Sequence, residues 1–427
     1  MHVAVLGAGV VGVTTAYYLT EAGHTVTVID REDQVAKACS FANGSQLSYS
    51  FTDAMATPGF IATIPRLLAG LDAGIRFRAP LSADLLRWGR AFLSECTTKK
   101  AMANTLATLS LAQRSKQLLM RLAVQLDDEF SYRSAGKIVL LANHKDRQAA
   151  IRNCELKAGH GCSTSVISFD EAVDVEPAIR YMTGAYDSAV YSPGDEVGDA
   201  NAFSGALARH LLKDARCRLQ LSTGIRQVIT ENKRVRGVDT DHGVLDADAV
   251  VICLGAWSPG ILKPLGIVQP IYPARGYSIT LRPGPQANSV SVTDLGRRFV
   301  VSRVGAQMRV AGFADFVGFG TTRDERRIEQ LTAAARCSAP QAADYSTLPN
   351  QAWGGFRPLT PDGRPLIGPT PVGGLYLNTG HGSLGWTLAC ASGELLANSI
   401  LPAAESSRCT DRQLRSDSFP AIEREIA

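Results

Sequence analysis

The chain has 427 residues, of which 45% are hydrophobic and 20% are charged, and its formal net charge is +4. This composition is typical of a soluble globular protein and excludes a disordered, collagen-like or coiled-coil chain. The length predicts two structural units, and the weak net charge without a long basic run argues against a nucleic-acid partner.

The nine cysteines form an odd set without a Cys-x-x-Cys pair. The sequence therefore predicts neither a disulfide framework nor a metal site, and reduced thiols indicate a cytoplasmic compartment. The apolar runs are too short to cross a bilayer, and the first strand enters a glycine turn directly, with no cleavable leader.

The first 30 residues predict a strand–helix–strand unit. Their order is a strand at His2–Leu6, the turn Gly7-Ala8-Gly9-Val10-Val11-Gly12, a helix to about Ala22, a strand at Thr25–Ile29, and Asp30, 18 residues after Gly12. Within such a unit, Gly7 permits the tight turn, Gly9 admits a pyrophosphate and Gly12 lets the helix approach the strand. Asp30 is the expected acceptor for the ribose hydroxyls, so the pattern predicts dinucleotide binding.

The segments after Asp30 decide against a simple NAD enzyme, which would continue directly with further strand–helix units. Instead, a Ser/Gly/Asn-rich loop at 39–46 precedes a mostly helical stretch at 63–127, and the nucleotide sheet resumes only near 217.

The middle and the end of the chain alternate between the two predicted units. We expect strands at 136–141, 184–192, 218–222, 225–230, 234–240, 248–254 and 375–377, a further sheet from 269 to 310, and helices at 199–212, with Asp199 as N-cap, and at 322–336. After the strand at 375–377, the glycines 380, 382 and 385 introduce a long apolar helix. Its N-terminus suits the negative charge of a reduced flavin, a feature that an NAD enzyme does not need.

These motifs together resemble the FAD-dependent amine and amino-acid oxidoreductases of the D-amino-acid oxidase superfamily. Within it the chain is most similar, over nearly its full length, to bacterial D-amino acid dehydrogenases of the small-subunit type. The resemblance is carried by VLGAGVVGVTTAYYL and VTVID near the start, ANG at 42–44, VVICLGAWS at 250–258, GFRPLTPDGRPLIG at 355–368 and LNTGHGSLGWTLACASG at 377–393.

The resemblance implies an α/β fold in which an FAD-binding, Rossmann-like domain of glutathione-reductase type is interleaved with an α+β substrate domain built on an antiparallel sheet. We expect the FAD domain at 1–75, 199–263 and 350–418, and the substrate domain at 76–198 and 264–349. It also implies non-covalent FAD, because no cysteine stands at 353–362. The cofactor-binding residues would be Gly7, Gly9, Val10, Val11, Gly12, Asp30, Arg31, Ser40, Asn43, Gly44, Gln46, Ile225, Gly255, Arg357, Gly382, Leu384 and Gly385.

The resemblance further implies three catalytic residues, each with an alternative role. Arg357 would bind the substrate carboxylate, the alternative being a surface arginine paired with Asp362. Tyr277 would hydrogen-bond in the substrate pocket, or be a cross-strand aromatic. His381 would carry a proton or charge at the flavin, or be a loop histidine bonded to backbone.

The implied reaction is oxidative deamination of D-amino acids to 2-oxo acids and ammonia, with electrons passed to a quinone or another carrier at the inner face of the membrane. A peripheral contact could come from 51–71 or from 81–100. The alternatives are an oxygen-using oxidase of glycine, sarcosine, opines or D-proline, a flavin-binding subunit without turnover, and an NAD dehydrogenase. The loop at 48–53 departs from the family's proline- and glycine-rich stretch, which leaves the substrate range open.

Overall fold

The computed structural model describes residues 1–78, 82–126, 129–320, 324–347, 349 and 351–400. The strands in this part of the chain are β1 (His2–Leu6), β2 (Thr25–Ile29), β3 (Gln46–Leu47), β4 (Ile75–Phe77), β5 (Lys137–Leu141), β6 (Ser165–Ser168), β7 (Ser188–Ser192), β8 (Glu196–Val197), β9 (Cys217–Gln220), β10 (Ile225–Glu231), β11 (Arg234–Thr240), β12 (Gly243–Asp246), β13 (Ala249–Ile252), β14 (Tyr272–Leu281), β15 (Ser291–Asp294), β16 (Phe299–Val304), β17 (Gln307–Phe316), β18 (Gln351–Leu359), β19 (Leu366–Pro369) and β20 (Leu375–Thr379). The helices are α1 (Val10–Glu21), α2 (Pro58–Ile61), α3 (Ile64–Leu68), α4 (Ala83–Glu95), α5 (Thr98–Gln125), α6 (His144–Ala158), α7 (Phe169–Val175), α8 (Ala200–Leu211), α9 (Ser258–Leu262), α10 (Glu325–Ser338) and α11 (Gly385–Ser399).

A six-stranded sheet forms the nucleotide-binding layer, in the order β19-β20-β13-β1-β2-β9. Its strands run parallel except β19, which is antiparallel to β20. The predicted bounds of β1 and β2 are confirmed, and the sheet resumes at β9 after the long insertion. This arrangement is the Rossmann-like α/β fold.

The parallel strands are apolar because both faces of the sheet are covered. On one face β1 and β13 contribute to a core with α1, α8 and α11. The other face packs against the three-stranded sheet β10-β11-β12 and α9. Helix α8 begins as predicted, because the Asp199 side chain accepts the N–H groups of Asn201 and Ala202 at 2.8 and 3.0 Å.

A nine-stranded mixed sheet forms the second layer, with the path β18-β14-β17-β16-β15-β5-β7-β6 and with β4 paired to β17. One face of its central strands packs against α10. Strand β18 pairs with β14 along nine residues and joins this sheet, whereas the FAD domain is predicted to resume at 350. The first turn predicted for the 322–336 helix and the domain end predicted at 418 both involve residues outside the described ranges. We propose that the two sheets mark the two domains.

The predicted helical stretch at 63–127 contains three helices, α3, α4 and α5, and is interrupted by the short strand β4. None of the described helices is both long and apolar enough to cross a bilayer. The eight cysteines in the described residues are all free thiols, and Cys409 lies outside those residues.

The turn between β1 and α1 leads to a test of the fold. A Cβ atom at Gly12 would lie 1.8 Å from the Gly7 carbonyl oxygen, whereas one at Gly9 would have only Ser40 Oγ nearby, at 3.6 Å. Gly12→Ala should therefore lower the free energy of unfolding by about 3 kcal/mol or more, because backbone must move to admit the methyl group. Gly9→Ala should leave it nearly unchanged. Urea denaturation of the two variants provides the measurement, and equal stabilities would contradict the expected helix–strand contact.

Candidate active site

A cavity of about 880 Å³ lies between the carboxyl ends of the parallel strands and one face of the nine-stranded sheet. Most of the predicted site residues line it, in agreement with the position of ligands in α/β folds. They are Gly7, Gly9, Val10, Val11, Asp30, Arg31, Ser40, Asn43, Gly44, Gln46, Ile225, Gly255, Tyr277, Arg357, His381, Gly382 and Gly385. Gly12 and Leu384 do not line the cavity: Gly12 packs against Gly7, and Leu384 is the N-cap residue of α11.

The phosphate end of the cavity is formed by the turn before α1. Gly7 has a φ of +104°, and its Cβ would lie 2.7 Å from the Cys253 carbonyl oxygen. Both constraints require glycine. Gly9 has ordinary backbone angles and open space on its Cβ side, and as the N-cap residue it has no side chain to cap the helix. Ser40 Oγ accepts the Val10 N–H at 3.1 Å, which leaves the N–H groups of the next two residues for a ligand. Free N–H groups and room for a pyrophosphate therefore coincide at this helix N-terminus.

Asp30 lies on the cavity wall and is held in place by backbone hydrogen bonds. Its carboxylate accepts the Ala8 N–H at 2.6 Å and the Glu32 N–H at 3.0 Å, and its backbone oxygen accepts the Thr223 N–H at 2.8 Å. A carboxylate has about four acceptor positions, so it can still receive ribose hydroxyls. Beside it the Arg31 guanidinium lies 4.7 Å from the centre of the Trp257 ring.

The segment 42–48, here named the strap, crosses the face of the nine-stranded sheet that borders the cavity. Five adjacent strands contact it in turn. Ser278 of β14 donates to the Ala42 carbonyl, and Arg309 of β17 donates to the Asn43 carbonyl at 3.1 Å. In the middle of the strap, Val300 of β16 packs at Gly44. At its far end, Ser291 of β15 accepts from Gln46, and Lys137 of β5 donates to Ser48 Oγ at 2.9 Å. On its other side, Ser48 donates its N–H to Thr387 Oγ1 in the first turn of α11 at 3.1 Å.

The flavin end predicted at α11 has the expected features. Gly380 and Gly382 have φ values of +79° and +56°, and the helix has no side-chain cap, so its first N–H groups are available to a ligand. His381 is 3% exposed and its Nε2 has no hydrogen-bond partner among the described residues. Burial lowers the pKa of His381 to about 3, so the imidazole is neutral at ordinary pH and does not supply a positive charge.

A flavin dinucleotide fits these observations. Two helix N-termini face one cavity, one at the phosphate turn and one at 380–385. The space beside Gly9, and the His381 nitrogen that has no hydrogen-bond partner among the described residues, suit a ligand that packs and hydrogen-bonds there.

Arg357, the predicted substrate-binding residue, is a cation on the wall of the cavity. Its guanidinium lies across β14, where a Cβ at Gly276 would be 2.5 Å from Cζ, and its Nη1 donates to the Phe313 carbonyl at 2.5 Å. Among the described residues no carboxylate forms an ion pair with it. Asp362, the alternative partner, binds Arg364 at 3.1 Å instead. A largely buried, unneutralised guanidinium facing a cavity is suited to bind a carboxylate.

Tyr277 is among the residues that line the cavity, but its side chain points to the opposite face of the sheet from Arg357. Arg357 lies opposite Ala274 of β14, so these two side chains point to the same face. Tyr277 is three positions beyond Ala274 on β14, and because successive side chains alternate between the faces, its ring points to the other face. The ring belongs to the core against α10, is 1% exposed, and donates its hydroxyl to Asp315 at 2.9 Å. Burial and the Asp315 carboxylate raise the pKa of the phenol, which stays protonated. This geometry favours the cross-strand role over contact with substrate.

Three features of the site were missed by sequence reasoning. Gly276 provides the space for the guanidinium, the backbone of Phe313 has a φ of +61° and presents its carbonyl to it, and Lys137 is a buried lysine on the cavity wall. Lys137 could have been found, because a lysine at the start of the apolar run KIVLL is unusual in a buried strand. Gly276 and Phe313 carry no such signal, since their roles depend on strand pairing.

Fold and site together define an oxidoreductase that brings a small carboxylate-bearing substrate to a bound dinucleotide. Residues 2–399 match the family described as "FAD dependent oxidoreductase", and the chain belongs to that family. It is therefore an FAD-dependent oxidoreductase.

Similar proteins of known name cover almost the whole chain. "D-amino acid dehydrogenase 2" of Ralstonia nicotianae is 39% identical over 94% of this chain and 96% of its own length. A D-amino acid dehydrogenase of Vibrio cholerae is 36% identical over 95% and 96%. Among solved structures, glycine oxidase from Bacillus cereus (TM-score 0.71, 21% identity, 93% and 94% covered) and L-proline dehydrogenase from P. horikoshii (TM-score 0.73, 20% identity, 93% and 92% covered) have the same fold.

The position of Arg357 can be tested at Gly276. Gly276→Ala should displace the guanidinium, because the added methyl group occupies its place, while the flexible arginine head can move at little cost in stability. We expect KM for an amino acid substrate to rise about 10-fold, which corresponds to a loss of about 1.4 kcal/mol in binding. Steady-state kinetics and thermal unfolding provide the two readouts. An unchanged KM in a stable variant would contradict the inferred contact.

Proposed function

We propose that the protein deaminates D-amino acids oxidatively to 2-oxo acids and ammonia, with non-covalent FAD. The observation that carries the proposal is the Arg357 guanidinium, which faces the cavity and has no carboxylate partner among the described residues. The D configuration is supported by the names of the curated relatives.

The protein contributes mainly by positioning the substrate and by excluding water from the cavity. Arg357 would bind the α-carboxylate through its planar fork, with its own orientation fixed by Gly276 and the Phe313 carbonyl. The neutral His381 can form one hydrogen bond at the cofactor end without changing the local charge. Bound FAD would supply the acceptor for the hydride that leaves Cα. The imino acid that results would hydrolyse in water.

No side-chain base is needed in this scheme when the substrate amine is uncharged. Asp315, the carboxylate that acts electrostatically on Arg357, is already engaged: it binds Arg76 at 2.7 Å and Arg327 at 2.8 Å. The arrangement is that of a site that orients a C–H bond rather than one that removes a proton with a carboxylate.

The test is anaerobic reduction of the copurified flavin. D-Alanine and other D-amino acids should bleach the visible band, L-alanine should not, and Arg357→Met should lower kcat/KM by about 100-fold, the value of a charge-assisted pair. The flavin content of the variant shows whether FAD is still bound. Bleaching by glycine or sarcosine alone would favour an amine oxidase, and a colourless protein would contradict the cofactor site.

We also propose that the electrons pass to a membrane quinone rather than to oxygen. The supporting observation is an exposed apolar surface: Leu68, Leu71 and Leu86 are 64%, 67% and 62% exposed. The Phe60 and Phe92 rings, 5.1 Å apart, join α2 to α4, so the two segments considered for membrane contact adjoin each other. Exposed apolar side chains grouped in this way are typical of a contact with a partner or a lipid surface.

Vesicle flotation tests this contact. The wild type should float with vesicles of anionic bacterial lipids, and the double variant Leu68→Glu/Leu71→Glu should bind about 10-fold more weakly because it places charge in the interface. Leu212→Glu is the matched control, since Leu212 is 55% exposed at the end of α8. No flotation of the wild type would contradict a lipid contact, and rapid peroxide formation would contradict the quinone.

A further inference from the structure

Trp353 lies on the wall of the cavity, on the same strand as Arg357. Positions 353, 355 and 357 of β18 share the face that borders the cavity, because successive residues of a strand alternate between its faces. A Cβ at Gly355 would be 2.1 Å from Cη2 and 2.2 Å from Cζ2 of the Trp353 indole, so the ring covers this glycine. The indole therefore extends along β18 in the direction of Arg357.

Strand register places the indole beside the guanidinium. Gly355 lies directly opposite Gly276 of β14, and the Arg357 guanidinium covers Gly276, with Cζ and Nη2 both 2.5 Å from the position of a Cβ there. Opposed residues of an antiparallel pair have Cβ positions about 5 Å apart, so Arg357 Cζ and Trp353 Cη2 are separated by at most about 10 Å. The two groups thus lie next to each other over a pair of glycines.

Trp88 and Trp386 show how a structural tryptophan is held in this protein. Each donates its indole N–H to a backbone carbonyl, at 2.9 and 3.1 Å. The Trp88 ring stacks on Phe92 with centroids 5.0 Å apart, and the Trp386 ring lies 4.6 Å from that of Phe203. Both residues belong to hydrophobic cores.

Trp353 has none of these contacts. Among the residues that the structure describes, its indole N–H has no hydrogen-bond partner, no other ring pairs with it, and it belongs to none of the hydrophobic core clusters. The side chain is half-buried and lines the cavity. Aromatic side chains supply much of the apolar surface of small-molecule sites, so an indole placed in this way is suited to contact a ligand.

The neighbouring cavity wall is also apolar. Ala314 follows the residue whose carbonyl binds Arg357 and lies opposite Ile75 of β4, and both Ala314 and Ile75 line the cavity. The described carboxylates that line the cavity are at the nucleotide end, apart from Asp294, which Arg297 binds at 3.0 Å. An apolar group of the substrate is therefore the chemistry that suits the space beside Arg357.

We propose that Trp353 is a specificity-determining residue whose indole contacts the substrate's side chain, so that the preferred substrates are D-α-amino acids with extended apolar side chains. The inference rests on the proposed function, in which Arg357 binds the α-carboxylate. Even at the upper limit of about 10 Å, a carboxylate hydrogen-bonded to the guanidinium and a side chain of three or four carbons span the gap and reach van der Waals contact with the ring.

The contact predicts a gain in activity with side-chain length. Full burial of a methylene group improves binding about 4-fold, so contact with one wall predicts about 2-fold for each methylene. D-Alanine, D-2-aminobutyrate, D-norvaline and D-norleucine differ by one methylene each. For the wild-type holoenzyme we expect kcat/KM to rise about 8-fold from the first to the last of this series.

Variants at the indole test which wall produces the gain. Trp353→Ala should lower the ratio of kcat/KM for D-norleucine to that for D-alanine at least 4-fold, and Trp353→Phe, which keeps an aromatic ring, should retain at least half of the wild-type ratio. Gly355→Ala should act in the same direction as Trp353→Ala, because its methyl group takes the place of the ring and the half-buried indole can rotate away.

Trp88→Phe is the matched control, because Trp88 packs in a core and does not line the cavity. Its ratio should stay at the wild-type value even where thermal stability falls. A flat series in the wild type, or an unchanged ratio in a folded Trp353→Ala, would overturn the substrate contact and leave the proposed function intact. Absence of turnover with every D-amino acid would instead overturn the proposed function.

Contact with the cofactor is the competing role for the indole, because the strap is close by. Ser278, which lies opposite Trp353, donates to the Ala42 carbonyl of the strap. The flavin absorption spectrum and the flavin content of Trp353→Ala distinguish the two roles. A changed spectrum or content together with an unchanged substrate ratio would assign the ring to the cofactor and overturn the proposal.

A binding measurement without turnover serves if Trp353→Ala does not fold. Propionate, butyrate, valerate and hexanoate carry the same side chains as the amino acid series but lack the amine, so their binding can be followed through the visible spectrum of the oxidised flavin. Kd for the wild type should fall about 2-fold for each methylene, and Gly355→Ala should abolish this trend. A Kd that is independent of length in the wild type, or an unchanged trend in Gly355→Ala, would overturn the proposal.

Discussion

The strap at 42–48 is the constraint on which the cavity depends, because it is fastened on both sides. Side chains from five adjacent strands of the large sheet hold one side, and Thr387 of α11 and the backbone of Gly198 hold the other. The strap thereby fixes the distance between the nucleotide layer and the substrate layer. Gly44, in the middle of the strap, lies close to the sheet, since a Cβ there would be in ordinary contact with Val300 at 3.4 Å. A cofactor in this gap has one layer on each side of it.

Some buried charges in this protein are fully paired and others are not, and this difference distinguishes structural residues from candidate ligand-binding residues. Asp315 is fully buried, but Arg76, Arg327 and Tyr277 all bind it, so the cluster is satisfied and anchors β17 to its neighbours. Arg357 has one hydrogen bond and no ion pair among the described residues. Since an unpaired charge in a largely buried position lowers stability, its retention on a cavity wall is explained by a ligand more readily than by the fold.

The sequence allowed prediction of the parts of the molecule that depend on local pattern. The β1–α1–β2 unit, the Asp199 cap and the glycine loop before α11 were all predicted correctly, because turn chemistry and periodicity act over a few neighbouring residues. The pairing of β18 with β14 was not predicted, because the other strands of that sheet are far away in sequence. Tyr277 shows the same limit: whether its ring faces the cavity or α10 depends on a one-residue register that no local pattern reveals.

The substrate-binding strand and the cofactor loop are joined to each other by hydrogen bonds. The Gly382 N–H donates to the Pro358 carbonyl at 3.0 Å, and Leu359 forms a bridge with His381, so the residue next to Arg357 is bonded to the loop at the flavin end. A shift of either element that preserves these hydrogen bonds also moves the other. If binding at one position shifts its element, thermodynamic reciprocity requires the effect on the other position to be equal in both directions. Pro358 and Leu359 are thus the direct connection between the strand of Arg357 and the glycine loop before α11.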